Sequence, residues 1–139
     1  MWADCNKGLS DRLQKLQNRA ARILMSANYD SNLNDLFRAL RWRKLCHQRL
    51  EKKSIMLYKI LNDMTPEYLR SGFVFRDSVN SYHLRNTENA LALPKPRTDY
   101  LKRSFSYSGA QLWNSLPLEL RQATSLRDFK NELSRYSVE

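Results

Sequence analysis

Leu45-Cys46-His47-Gln48-Arg49-Leu50-Glu51-Lys52-Lys53-Ser54-Ile55-Met56-Leu57-Tyr58-Lys59-Ile60-Leu61-Asn62 is the stretch whose reading decides the fold, and it holds neither Gly nor Pro. On a helix of about 3.6 residues per turn, Cys46, Leu50, Leu57 and Leu61 stack along one side, widened by Leu45, Met56 and Ile60. Lys44, Gln48, Lys52 and Lys59 fall on the opposite side. The pattern predicts a central core helix with a basic back. Ile55 lands among the lysines and breaks it, as a single exposed apolar residue or as a contact for a second layer or partner.

Outward from this helix, the totals agree with a helical chain. Its 139 residues include only 3 Gly and 4 Pro, which suits long helices joined by a few punctuated loops. That length argues for one domain spanning 1–139, with a basic helical half (1–70) and a second half (71–139) of irregular structure, a β ribbon and C-terminal helices. The expected fold is mainly α: about four to six helices with a short antiparallel two-stranded ribbon. Two cysteines, Cys5 and Cys46, cannot form a disulfide framework, so an intracellular location, nuclear or cytoplasmic, is the expectation. No apolar run approaches the roughly 18 residues of a membrane span. Surface attachment through the basic helix is disfavoured, because its apolar side is needed for the core.

N-terminal to the central helix, Ser10 reads as an N-cap, and Leu13, Leu16, Ala20, Ile23, Leu24 and Ala27 recur at helical steps. Leu33, Leu36, Phe37 and Leu40 make a shorter amphipathic helix capped by Ser31 or Asn32, and Trp42 after it reads as a packing anchor. C-terminal to it, Thr65-Pro66-Glu67 opens a short helix ending at Arg70. Phe73, Phe75, Tyr82 and Leu84 suggest short extended pieces. Pro94 and Pro96 impose an extended segment. Phe105 and Tyr107 alternate with serines at period two, which predicts a strand pairing with Ala90–Leu93. Ser108 then caps a helix with Ala110, Leu112, Trp113 and Leu116 inward. Ser125-Leu126-Arg127-Asp128 resembles a capping box before a last helix bearing Leu126, Phe129, Leu133 and Tyr136.

Charge is the most informative total. Lys+Arg number 24 and Asp+Glu 14, a formal net of +10. Residues 1–60 hold 13 basic and 5 acidic side chains (13 − 5 = +8), whereas 61–139 hold 11 and 9 (11 − 9 = +2). Such asymmetry favours a polyanionic partner, RNA or DNA bound through its phosphates. Basic residues on faces the apolar pattern leaves free are the candidate contacts: Arg19, Arg22, Lys44, Lys52, Lys53, Lys95, Arg97, Lys102 and Arg103, with Tyr100 to stack a base.

Several blocks carry a family likeness. Lys95-Pro96-Arg97-Thr98, Lys102-Arg103-Ser104-Phe105-Ser106, Gly109-Ala110-Gln111-Leu112-Trp113-Asn114-Ser115-Leu116-Pro117 and Leu120-Arg121 resemble the C-terminal segment of jockey-like non-LTR (LINE-type) retrotransposon polyproteins. In those proteins this segment follows the reverse transcriptase domain. Leu16-Gln17-Asn18-Arg19-Ala20-Ala21-Arg22, Tyr58-Lys59-Ile60-Leu61-Asn62 and Thr65-Pro66-Glu67-Tyr68-Leu69 look like its upstream parts. The likeness implies a mobile-element frame separated from its catalytic portion, and a start at Met1-Trp2-Ala3-Asp4-Cys5 suits a truncated frame.

Catalysis is not expected. A polymerase palm holds two metal ions through acidic side chains that typically include an adjacent Asp pair, and no two aspartates are adjacent here. Cys5, Cys46, His47 and His83 are the only soft metal ligands, and Cys46 and His47 point about 100° apart on a helix, so no zinc site is expected. Cys46 reads as a small core residue and His47 as a boundary residue. Two histidines without a nucleophile elbow give no triad, and Gly8, Gly72 and Gly109 form neither a phosphate loop nor a dinucleotide fingerprint, so no cofactor is implied. Three functions follow. The first is a non-catalytic nucleic-acid-binding accessory domain, which the resemblance would place beside an RNA-directed DNA polymerase to position template RNA or target DNA. The second is a structural module packing on the upstream reverse transcriptase domain. The third is a mobile-element remnant with no independent role.

Overall fold

The computed structural model describes residues 5–79 and 88–136. Tyr82, His83 and Leu84 lie outside the described residues. Nine helices occur among the described residues: α1 (Lys7–Leu24), α2 (Leu33–Ala39), α3 (Leu45–Leu61), α4 (Glu67–Arg70), α5 (Arg76–Val79), α6 (Asp99–Lys102), α7 (Phe105–Ser115), α8 (Leu118–Arg121) and α9 (Leu126–Tyr136). The chain divides into two compact units, Met1–Leu50 and Glu51–Glu139, with the division inside α3.

In the first unit, α1 starts a turn earlier than expected. Asn6, not Ser10, is the N-cap, its side chain accepting from Leu9 N–H at 2.9 Å. The α1 facing also differs from expectation. Ala21 is buried, whereas Leu16, Ile23 and Leu24 are exposed. The reason lies in the polar face. Gln14 Oε1 accepts from Leu45 N–H at 3.0 Å, and Gln17 Nε2 donates to the Arg43 carbonyl at 2.9 Å. These bonds satisfy backbone groups at the loop into α3 that would be costly to leave unmade, and they turn the glutamine face inward. Ala21, Leu36 and Phe37 then form a small core, flanked by Ala27, Leu33, Leu40 and Trp42. Trp42 is a packing anchor as its position suggested, with its ring 6.3 Å from that of Phe37.

Helices α1, α2 and α3 end in the same way. Ser26, Arg41 and Asp63 adopt φ of 47°, 54° and 56°. In each case the next residue's N–H reaches back five positions: Ala27 to Arg22 O, Trp42 to Phe37 O and Met64 to Lys59 O. This is the Schellman arrangement, made here without glycine.

The second unit is built on the C-terminal part of α3. Leu57, Tyr58 and Leu61 join Leu91, Ala110, Trp113, Leu116, Leu120, Phe129 and Leu133 in one core. Tyr58 and Phe129 stack at 4.5 Å, and Trp113 lies 6.0 Å from Phe129. Leu57, Ile60 and Leu61 are buried as read from the sequence, but the face is rotated toward Ser54 and Tyr58; Leu50 and Cys46 are exposed. Ile55 packs against the core rather than standing free. Gly109 marks a close helix crossing, because a Cβ there would lie 3.0 Å from Leu57 Cδ2 and 3.5 Å from the Phe73 ring.

The expected two-stranded ribbon is absent: no strand occurs among the described residues. Ser104 accepts from Tyr107 N–H and starts a helix at Phe105, so the Phe105/Tyr107 alternation belongs to α7, which begins before Ser108. The 90–92 segment makes one isolated antiparallel bridge, Phe75 with Leu91, closed by Arg76 N–H to Ala90 O at 2.7 Å and Ala92 N–H to Val74 O at 2.8 Å. Its other edge meets a side chain. Leu91 N–H donates to Asn114 Oδ1, and Asn114 Nδ2 donates to Leu91 O, both at 2.8 Å. One carboxamide thus does the work of a neighbouring strand. Trp113 Nε1 donates to Asn89 O at 2.9 Å. In the last helix, Ser125 Oγ accepts from Asp128 N–H at 3.1 Å and donates to Asp128 Oδ2 at 2.7 Å, a variant of the expected capping box.

Candidate nucleic-acid interface

Seven of the nine candidate cations are exposed, among them Arg19 on α1, Lys52 on α3, and Lys95 and Arg97 on the extended segment before α6. Lys53 departs from expectation. Its ammonium donates to Ser108 Oγ at 2.7 Å and lies 5.9 Å from the Phe105 ring, so it packs on α7 and serves the second unit's structure. Lys102 pairs with Asp99 at 3.2 Å, an exposed pair that leaves both groups in water.

Among the described residues, two places bring an arginine onto a strongly exposed tyrosine. In the second unit, the Arg103 guanidinium lies 5.2 Å from the Tyr100 ring centre, and Tyr100 is 82% exposed. Tyr100 and Arg103, named separately from the sequence for base stacking and phosphate contact, are thus neighbours on and just after α6. In the first unit, Arg22 lies 4.9 Å from the ring centre of Tyr29, which is 84% exposed. Tyr29 was not among the sequence candidates. It is seven residues from Arg22 and on a loop, so no periodicity links them; only the return of the chain after α1 does.

The Arg22–Tyr29 pair borders an open basin within the first unit, which also brings in Lys44, Asn18, Asn34 and Asp30. The cavity measures about 530 Å³. Arg22 Nε is buried and has no hydrogen-bond partner among the described residues. Asp30 is the one acidic side chain of the lining, against Arg22 and Lys44. Positive charge therefore exceeds negative at the rim, and amides line the floor. Such a lining suits a phosphate beside a polar heterocycle.

The second unit has a smaller polar cleft of about 270 Å³, lined by Asn62, Asn89, Trp113, Arg121 and Gln122 among others. Arg121 there donates to Glu88 O at 2.9 Å and so ties the chain rather than opening to a ligand.

Among the described residues, the soft ligands do not assemble. Cys46 and His47 are both exposed, the first against the expectation of a core position, and Cys5 Sγ receives Arg49 Nη1 at 3.7 Å. Among the described residues, no three His, Cys, Asp or Glu side chains come together where they could hold a metal ion. Among the same residues, no helix is long and apolar enough to cross a membrane. Tyr58 is the titratable group that stands out: burial first, and the Asp128 carboxylate second, raise its phenol above the usual 10.0.

No family model, curated protein or solved structure matches this chain.

Proposed function

We propose that this protein is a non-catalytic nucleic-acid-binding module that grips RNA or DNA through its phosphates. The observation that carries the reading is the repeated combination of arginine and open tyrosine, Arg22 with Tyr29 and Arg103 with Tyr100, on a chain of net charge +10. A guanidinium supplies phosphate contact, and the adjoining ring supplies a sequence-tolerant stacking surface. Further exposed cations are Arg19 and Lys44 in the first unit and Lys52, Lys95 and Arg97 in the second. The resemblance to the segment that follows the reverse transcriptase in jockey-like retrotransposons supports a role in positioning template RNA or target DNA for such an enzyme. The test is the salt dependence of duplex DNA binding by fluorescence anisotropy. About five phosphate contacts give a log–log slope near −4 to −5. A flat salt response removes the proposal.

A second reading is favoured by α1. Leu9, Leu16, Ile23 and Leu24, between 49% and 68% exposed, line one side of that helix, with Arg12 and Arg19 along its margin. An apolar stripe with a cationic edge fits a protein surface that is apolar with an acidic rim, and self-association is opposed by the like charge. A reverse transcriptase domain is the partner this reading names. Titration calorimetry should then show binding lost in Leu16→Asp and Ile23→Asp but kept in Lys52→Ala and Arg97→Ala.

A further inference from the structure

We infer that the basin between α1, the 28–32 loop and α2 is a single-nucleotide pocket that gives this module a preference for single-stranded over duplex nucleic acid. The inference rests on the nucleic-acid reading above and deepens it. Tyr29 is 84% exposed, and Arg22 lies 4.9 Å from its ring centre, so one side of the ring is occupied by the cation while most of the side chain faces solvent. An unpaired base has a free face to lay on that ring; a base inside a duplex does not, since its neighbours already stack on it. The space is sufficient: the basin of about 530 Å³ is within the size range of small-ligand sites.

The polar groups have matching reach. Lys44 and the Arg22 guanidinium line the basin as charges for the phosphate. Asn18 already accepts from Gln14 Nε2 at 2.9 Å through its Oδ1, which leaves its amide nitrogen to donate to a base edge. Asn32 is placed in the same way: its Oδ1 caps α2 through Asn34 N–H at 3.0 Å, and its amide nitrogen likewise remains to donate. The Asn34 side chain lines the basin as a further amide. A uniformly cationic cleft would hold duplex and single strand alike, whereas this one couples two cations to one open ring and to amide donors.

The experiment titrates the full chain against 12-nucleotide oligo(dU), 12-nucleotide oligo(U) and a 12-base-pair DNA duplex at one ionic strength. Anisotropy is the readout. The expected result is tighter binding of one or both single strands than of the duplex, and the two single-stranded arms separate deoxyribose from ribose as the source of the nucleotide. Tyr29→Ala should weaken single-strand binding by about 5- to 100-fold, the range of one lost base stack, and leave duplex binding within about 2-fold. Tyr29→Phe should restore single-strand binding, since the ring rather than the hydroxyl makes the contact. Equal affinity for all three probes, or an equal loss on single strand and duplex in Tyr29→Ala, overturns the pocket while leaving salt-dependent phosphate binding standing. No binding to any probe overturns both.

Discussion

Asn114 offers the sharpest test of the fold. Its carboxamide spans the Leu91 backbone, accepting from the N–H and donating to the carbonyl, each at 2.8 Å. Leu91 is fully buried and Asn114 half-buried, so water can replace the two bonds only in part. Truncation to Ala leaves one orphaned donor and one orphaned acceptor at about 1–3 kcal/mol each, or about 2–6 kcal/mol together. Asn114→Asp separates the two halves of the clamp. The carboxylate still accepts from Leu91 N–H, but its second oxygen meets the Leu91 carbonyl with no proton between them. The folded state therefore favours the protonated acid and raises that pKa above the usual value of about 3.9. A group whose folded pKa is raised contributes stability that is present below the unfolded pKa and lost as pH rises through the folded one. The stability gap between Asn114→Asp and wild type should thus be small near pH 4 and widen toward pH 7. Urea unfolding at several pH values, followed by circular dichroism and tryptophan fluorescence with a common m-value, measures it. A gap that stays constant across that range, or an Asn114→Ala cost under about 0.5 kcal/mol, refutes the clamp.

Other consequences are simpler. Tyr58, whose phenol is raised above 10.0 by burial and by Asp128, donates to Ala123 O at 2.9 Å; stability should fall as pH climbs beyond about 10, and Tyr58→Phe should remove that part of the fall. Gly109→Ala places a methyl group 3.0 Å from Leu57, so strain of about 1–3 kcal/mol should outweigh the ~0.8–1.0 kcal/mol gained in helix propensity; thermal melts showing a more stable variant would count against the crossing. Leu57→Ala should cost about 2–5 kcal/mol and Lys52→Ala under about 0.5 kcal/mol by chemical denaturation, because the first is fully buried and the second exposed.

How far the sequence disclosed this molecule depended on whether local chemistry had a competitor. Leu57, Ile60 and Leu61 were legible because apolar density leaves a helix face little choice. The face of α1 was not, since Gln14 and Gln17 look like surface residues until the loop at 43–45 presents them with backbone groups. The supposed ribbon failed on one residue: a five-residue alternation of aromatics and serines suits a strand, but Ser104 as a cap commits the same residues to α7. Asn114 was visible only as part of a family-like block, because nothing in a linear pattern shows a side chain standing in for a strand. Of the interface, Arg22, Lys44, Tyr100 and Arg103 could be nominated from charge and aromaticity. Tyr29 could not, since only folding carries it to Arg22.

The glycine-free helix ends have a consequence for how the first unit comes apart. A residue other than glycine in the left-handed region pays about 1–2 kcal/mol, so Ser26 and Arg41 do not hold that shape by preference. What holds it is the residue immediately after, Ala27 or Trp42, seated against the small core of Ala21, Leu36 and Phe37. Punctuation is delegated to packing. Once that core loosens, nothing local tells α1 or α2 where to stop, and spillover of helix into the connecting segments should accompany the loss of tertiary contact as a single event.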